Sequence, residues 1–180
     1  MQFTRPPNLV HDTVYLRPLM LDDMEDWFKY LSNPLVFTHT SWNVHSPGDL
    51  AQGAWNAQAT TSSPVRFAIA RKLDDLLVGT AGFHTVSPES RTAELAYDLS
   101  PEVWGQGIAT ATARELVNWA HECASVIRVQ ATVLDSNTRS SKVLLRLGFK
   151  PEGLLRSYRL VRGTSRDFIM YSHLAGEAVA

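Results

Sequence analysis

Apolar and polar residues alternate with two distinct periods along this chain. Across residues 92–99 the period is two: Ala93, Leu95, Tyr97 and Leu99 share one face, and Glu94, Ala96 and Asp98 the other. Ile127, Val129, Ala131 and Val133 repeat the pattern as a second strand. Between the two strands the period lengthens. Ala109, Ala113, Leu116, Val117, Ala120 and Cys123 stand three and four apart, which predicts an amphipathic helix over 107–123 with Cys123 on its buried stripe.

The rest of the chain reads the same way. Residues 13–17 form a first strand. Leu21 to Asp26 open a helix whose first turn is crowded with acids, as the helix dipole favours. Asn33-Pro34 ends it. Ser46-Pro47 begins a second helix, with serine as cap and proline in the first turn, running to about residue 59. Residues 66–71 and 77–86 are paired strands. Residues 137–147 form a short helix closed by Gly148. Residues 153–161 and 166–172 make a final hairpin around Arg162-Gly163-Thr164-Ser165.

Strands and helices do not alternate regularly in this order. That argues against a doubly wound dinucleotide fold. It predicts an α/β (α+β) architecture: a mixed, mostly antiparallel sheet of about seven strands flanked by about four helices. With 180 residues and no repeat, a single domain with a core over 13–174 is expected.

Composition narrows the function classes. A net charge of −1 argues against binding nucleic acid or anionic membranes through bulk charge. No basic-then-apolar leader and no long apolar span are visible. The single cysteine rules out an internal disulfide, and a reducing cytoplasm suits the chain. The six histidines show no metal-ligand spacing, so no metal is expected.

Chemistry concentrates at Trp104-Gly105-Gln106-Gly107-Ile108-Ala109-Thr110, where a strand meets a helix. Two glycines there leave backbone amides bare, and the helix dipole adds positive potential, so a phosphate can bind without a charged side chain. A plain tight turn is the other reading. The triphosphate loop is excluded, because Ile108-Ala109 replace its Lys-Ser or Lys-Thr. The dinucleotide fingerprint lacks its third glycine.

These residues resemble the signature of the GNAT acetyltransferases, which bind acetyl-coenzyme A. Gly107 and Ala109 match the last two positions of the Gln/Arg-x-x-Gly-x-Gly/Ala motif, and Trp104 stands where Gln or Arg would be. The Trp-Gly-x-Gly-x-Ala-Thr form and the preceding run from Ala93 to Pro101 are similar to the branch of ribosomal-protein alanine N-acetyltransferases. A second stretch agrees: Asn137, Ser140, Val143, Leu144 and Arg146-Leu147-Gly148-Phe149, then Glu152-Gly153, resemble the family's closing helix and following strand.

The resemblance implies the GNAT fold and direct attack of an amine on the thioester of acetyl-coenzyme A. The acceptor would be a protein or peptide N-terminus. A small amine such as an aminoglycoside or polyamine, and a non-catalytic acyl-coenzyme A sensor, are the alternatives. Gly105, Gly107, Ile108, Ala109 and Thr110 would present amides to the pyrophosphate. Backbone near Tyr97 and Leu99 would hold the pantetheine arm, with an amide near Leu99 stabilising the oxyanion. Trp104 would pack beside the coenzyme, and Asn137 would contact the arm or cap its helix.

Two side chains are candidate catalysts. Glu94 would take the proton from the amine, directly or through water, with burial raising its pKa; the alternative is a solvated strand glutamate or an ion pair with an arginine. Many relatives carry a tyrosine at the place of Leu144, so Ser140 is the substitute donor to the leaving thiolate, unless it bonds back to its own helix. By the resemblance, His39, Trp42 and His45 would lie near the acceptor pocket and could shape substrate choice; a simply packed loop is the other reading. Arg156, Arg159, Arg162 and Arg166 make the last hairpin basic: they could steer an acidic acceptor or partner, or be ordinary surface arginines of a strand. A monomer or two-fold homodimer is the expected assembly.

Overall fold

The computed structural model describes residues 5–52 and 65–180. Seven strands form one sheet in the order β1-β2-β3-β4-β5-β7-β6. They are β1 (Val14–Pro18), β2 (Val65–Arg71), β3 (Leu77–Ser87), β4 (Thr92–Leu99), β5 (Arg128–Leu134), β6 (Lys150–Val161) and β7 (Thr164–Leu174). Among the described residues five α-helices accompany them: α1 (Asp23–Leu31), α2 (Pro34–Phe37), α3 (Pro47–Leu50), α4 (Ile108–Glu122) and α5 (Thr138–Arg146). The mixed, mostly antiparallel sheet expected from the alternation is present, and only β4 and β5 run parallel.

One more helix is present than the four expected. Asn33-Pro34 ends α1 and also starts α2: the Asn33 side chain accepts from the Leu35 amide at 3.0 Å, and proline fits the first turn. Ser46 caps α3 through a reciprocal capping box with Asp49. The expected continuation of that helix to residue 59 lies outside the described residues. The last hairpin is tighter than expected. Its loop is Arg162-Gly163 alone, both at positive φ (50° and 77°), as two-residue hairpin turns require. Cys123 is also corrected. It falls at the end of α4, past the last buried turn, and is exposed.

Apolar clusters cover both faces of the sheet. On one, Leu116, Val117 and Ala120 of α4 and Leu144 of α5 pack on Leu95, Val129 and Ala131. On the other, Trp27, Met24 and Leu31 of α1 meet Ala68 and Leu77. The feature that positions the site is a parting of strands. β4 pairs with β5 only at Thr92–Arg128, Ala93–Val129 and Glu94–Gln130. Beyond Glu94, β4 follows β3 to Leu99 while β5 follows β7 to Leu134, and the two diverge.

Candidate active site

A cleft of about 820 Å³ fills the gap between the diverging strands, within the usual size range for small-molecule sites. It is lined by Gly105, Gly107 to Thr110 and α5, and also by residues 39–42, His84, Glu94 and Arg159.

The edge of β4 facing this gap is unpaired. The Ser100 amide bonds to the Val78 carbonyl at 2.8 Å. Backbone groups of an antiparallel strand alternate in direction, so Asp98 and Ala96 turn toward β3, whereas Leu99 and Tyr97 turn toward the cleft. The Leu99 carbonyl accepts from the Trp104 indole at 3.0 Å. Trp104 thus hydrogen-bonds back to β4 rather than only packing, and Arg139 stacks on its ring at 4.4 Å.

At the strand-to-helix junction, Gly105 and Gly107 adopt φ of +79° and +80°, a conformation that disfavours side chains. A Cβ built on either would meet nothing within 4 Å, so the space above the turn is open. The first helical bond of α4 runs from the Ala111 amide to the Gly107 carbonyl at 3.0 Å. The amides of Gly105, Gly107, Ile108, Ala109 and Thr110 have no backbone acceptor among the described residues. Free amides, a helix start and open space together fit a phosphate group.

α5 forms the opposite bank. The Asn137 side-chain Oδ1 caps the helix by accepting from the Ser140 amide at 3.1 Å, and its side-chain NH2 donates to the His39 backbone carbonyl at 3.2 Å. The cap reading of Asn137 is therefore realised, and the side chain also ties α5 to the segment after α2. Ser141, not Ser140, bonds back to the helix, to the Asn137 carbonyl. The Ser140 hydroxyl has no hydrogen-bond partner among the described residues and lines the cleft. Leu144 is fully buried in the core. The phenol of Tyr97 reaches the Ser140 carbonyl at 3.5 Å, and burial pushes its pKa up to about 12. A tyrosine hydroxyl thus arrives beside α5 from β4, a placement the strand pattern did not reveal.

Glu94 is buried but charge-paired. Its Oε1 accepts from Thr132 at 2.6 Å and from Arg159 at 2.9 Å. The arginine-partner reading holds for this side chain. Oε2 carries no bond among the described residues.

His84 sits close by on a bulge: Phe83 pairs with Leu95 and Thr85 with Glu94, leaving His84 without a partner in the ladder. Its ring is exposed by surface area yet crowded by protein. Burial lowers its pKa, Arg159 and Arg66 add to this, and Glu94 opposes it. Beneath lies a buried network. Asp98 accepts from Trp27 at 3.1 Å, Tyr30 at 2.5 Å and Thr80 at 3.0 Å, and pairs with Arg66. The Arg66 guanidinium lies over both the Trp27 and Trp42 rings, 5.2 and 5.1 Å from their centroids. Burial and the Asp98 charge raise the Tyr30 pKa well above its ordinary value.

Sequence reasoning missed Thr132, His84 and Arg66. Thr132 had a signal, since it falls on the polar face of β5 opposite Val133. The bulge that turns His84 into the cleft had none. His39 and Trp42 line the cleft as expected; His45 does not. No three of His, Cys, Asp and Glu converge as a metal site among the described residues. No helix among them is long and apolar enough to cross a membrane.

Residues 13–150 match the Acetyltransferase (GNAT) domain family. The chain is 32% identical over 173 residues to the uncharacterized N-acetyltransferase p20 of Bacillus licheniformis, covering 94% of this chain and 97% of that one. It is 28% identical over 101 residues to the ribosomal-protein-serine acetyltransferase of Escherichia coli, 56% of each chain. Its fold superimposes with a TM-score of 0.79 on the microcin C7 self-immunity acetyltransferase MccE, solved with acetyl-coenzyme A and AMP. That match has 23% identity and covers 92% of this chain and 94% of the other. The open cleft, its free amides and these likenesses agree: the chain belongs to the GNAT acetyltransferase family and is an acetyltransferase enzyme.

Proposed function

We propose that this protein is a single-domain cytoplasmic enzyme that transfers an acetyl group from acetyl-coenzyme A to a primary amine, foremost a protein or peptide N-terminus. The observation that carries the reading is the parting of β4 and β5 after Glu94, directly beside the unsatisfied amides of Gly105 to Thr110. An extended, amide-bearing arm can pair with the cleft-facing backbone of Tyr97 and Leu99 as an added strand would. Its pyrophosphate is held by the amides of Gly105, Gly107, Ile108, Ala109 and Thr110, with Trp104 shaping the turn and Asn137 fixing the facing bank.

The chemistry follows from what lies between. An amine arriving as ammonium docks at Glu94, whose Oε2 remains available. Glu94 takes the proton directly or through water, while Thr132 and Arg159 hold the carboxylate in one orientation. The free amine attacks the thioester carbonyl. The Leu99 amide, turned into the cleft, stabilises the oxygen that becomes negative. The new C–N bond leaves the nitrogen with one proton in excess; as the thioester C–S bond breaks, that proton passes to the thiolate by way of the Ser140 hydroxyl or water.

Mass spectrometry of acetylated products, from a screen of peptides and small amines incubated with acetyl-coenzyme A, tests this reading. Acceptor-dependent release of coenzyme A is expected. Tight binding of acetyl-coenzyme A with no acceptor that triggers release would replace the reading with a sensor.

A further inference from the structure

Overall the chain carries a net charge of −1, yet the acceptor end of the cleft has a surplus of positive charge. Its two buried acids are already matched: Glu94 by Arg159 and Asp98 by Arg66. Asp49 accepts from the His45 and Ser46 amides in the α3 capping box.

Arg162 and Arg166 remain, and neither has a carboxylate partner among the described residues. Arg162 arches from the β6–β7 turn onto the cleft wall. It donates to the Thr40 and Trp42 carbonyls at 3.1 and 3.3 Å and stacks on Phe37 at 4.0 Å. Arg166 stands opposite Arg159 in the hairpin and two residues before Phe168, so it shares the strand face of these two cleft-lining side chains. Cross-strand arginines repel, and Glu94 neutralises only one of the pair. Burial and the Arg166 charge both press against the charge on Arg162. An anion placed here relieves both.

We infer that the acceptor is an acidic peptide N-terminus: its amine reaches Glu94 while carboxylates a few residues along lie against Arg162 and Arg166. This rests on the acetyltransferase reading above and chooses among its acceptors. Polyamines and aminoglycosides, being polycationic, meet like charge at the same mouth.

The test uses the full chain, acetyl-coenzyme A and matched seven-residue peptides. Each set begins with Ala, Ser or Thr and differs only in acidic, neutral or basic residues from position three onward. Spermidine and kanamycin are run beside them. The acidic peptides are expected to show kcat/KM at least about tenfold above the basic ones at low salt, the gap narrowing as salt screens it.

Arg166→Glu, which removes no hydrogen bond among the described residues, should raise KM for the acidic set and shrink the gap while coenzyme affinity stays in place. Arg162→Glu should do the same, with a thermal melt to check the loop it supports. Equal or better turnover of basic peptides, spermidine or kanamycin overturns the acidic-acceptor inference alone. Coenzyme binding without turnover of any amine overturns the acetyl-transfer reading, and this inference with it.

Discussion

Arg159 Nη2 lies 2.9 Å from Glu94 Oε1, joining two residues 65 positions apart at the point where β4 and β5 separate. The pair fixes the carboxylate in the cleft, and the Thr132 hydroxyl holds the same oxygen at 2.6 Å. Glu94→Gln is expected to lower kcat at neutral pH by about 10²-fold or more, the usual worth of a positioned base, with coenzyme affinity unchanged. Arg159→Gln should cost less and act mainly through acceptor KM. Steady-state kinetics with calorimetric titration of the coenzyme separate the two effects; a Glu94→Gln rate equal to the wild type removes Glu94 as base.

Gly107 offers a cleaner test of the coenzyme cradle. Space above it is open, so Gly107→Trp places its ring where the pyrophosphate is proposed to lie rather than in the core. The positive φ adds about 1–2 kcal/mol of backbone strain. Coenzyme binding is expected to vanish in calorimetry, while the thermal midpoint falls by only a few degrees. Retained affinity contradicts the cradle assignment.

Asp98→Ala should be among the most destabilising single changes. It leaves the Arg66 guanidinium buried without its carboxylate, and the Trp27 and Tyr30 donors without their acceptor. Breaking a buried pair this way costs about 3–5 kcal/mol. Urea denaturation measures it directly. A loss under about 1 kcal/mol would mean that water replaces the carboxylate easily, contrary to its burial.

Acid sensitivity should come in part from His173, which is fully buried. Its Nδ1 faces His121 Nε2 at 3.1 Å, His121 Nδ1 faces the Val126 carbonyl at 2.8 Å, and His173 Nε2 faces the Ala178 carbonyl at 3.4 Å. Two neutral rings supply two N–H donors for three contacts, and the longest contact is the one left without a proton. Burial lowers the His173 pKa, the Ala178 carbonyl and Glu177 oppose this, and His121 and Lys150 reinforce it.

The folded pKa thus lies below the unfolded value of about 6.5, and the unfolded state binds more protons as pH falls through that window. Stability should be flat with respect to this group above about pH 7, decline below 6.5, and level off once the folded ring protonates. Denaturation midpoints between pH 5 and 7.5 should vary less in His173→Gln than in the wild type. Identical pH dependence in the two proteins would exclude His173.

Local pattern alone determined much of this protein. The period-two alternation set β4 over residues 92–99 and assigned Glu94 and Asp98 to the face opposite Leu95 and Tyr97. Serine, asparagine and glycine marked helix ends, because capping and positive φ depend on neighbours within a few residues. The glycine turn before α4 was legible for the same reason.

What tertiary structure decided is who meets whom across the sheet. Arg159 reaches Glu94, Thr132 shares its oxygen, and Tyr97 arrives beside Ser140, because β7 inserts between β5 and β6 and β4 leaves β5 after three pairs. Cys123 is exposed because it sits at the C-cap of α4, beyond Ala120, the last buried residue of that helix, and His84 enters the cleft because one extra residue bulges from β3. Periodicity reports which face a residue takes. Strand order and register, set by packing of the whole chain, decide what stands opposite it.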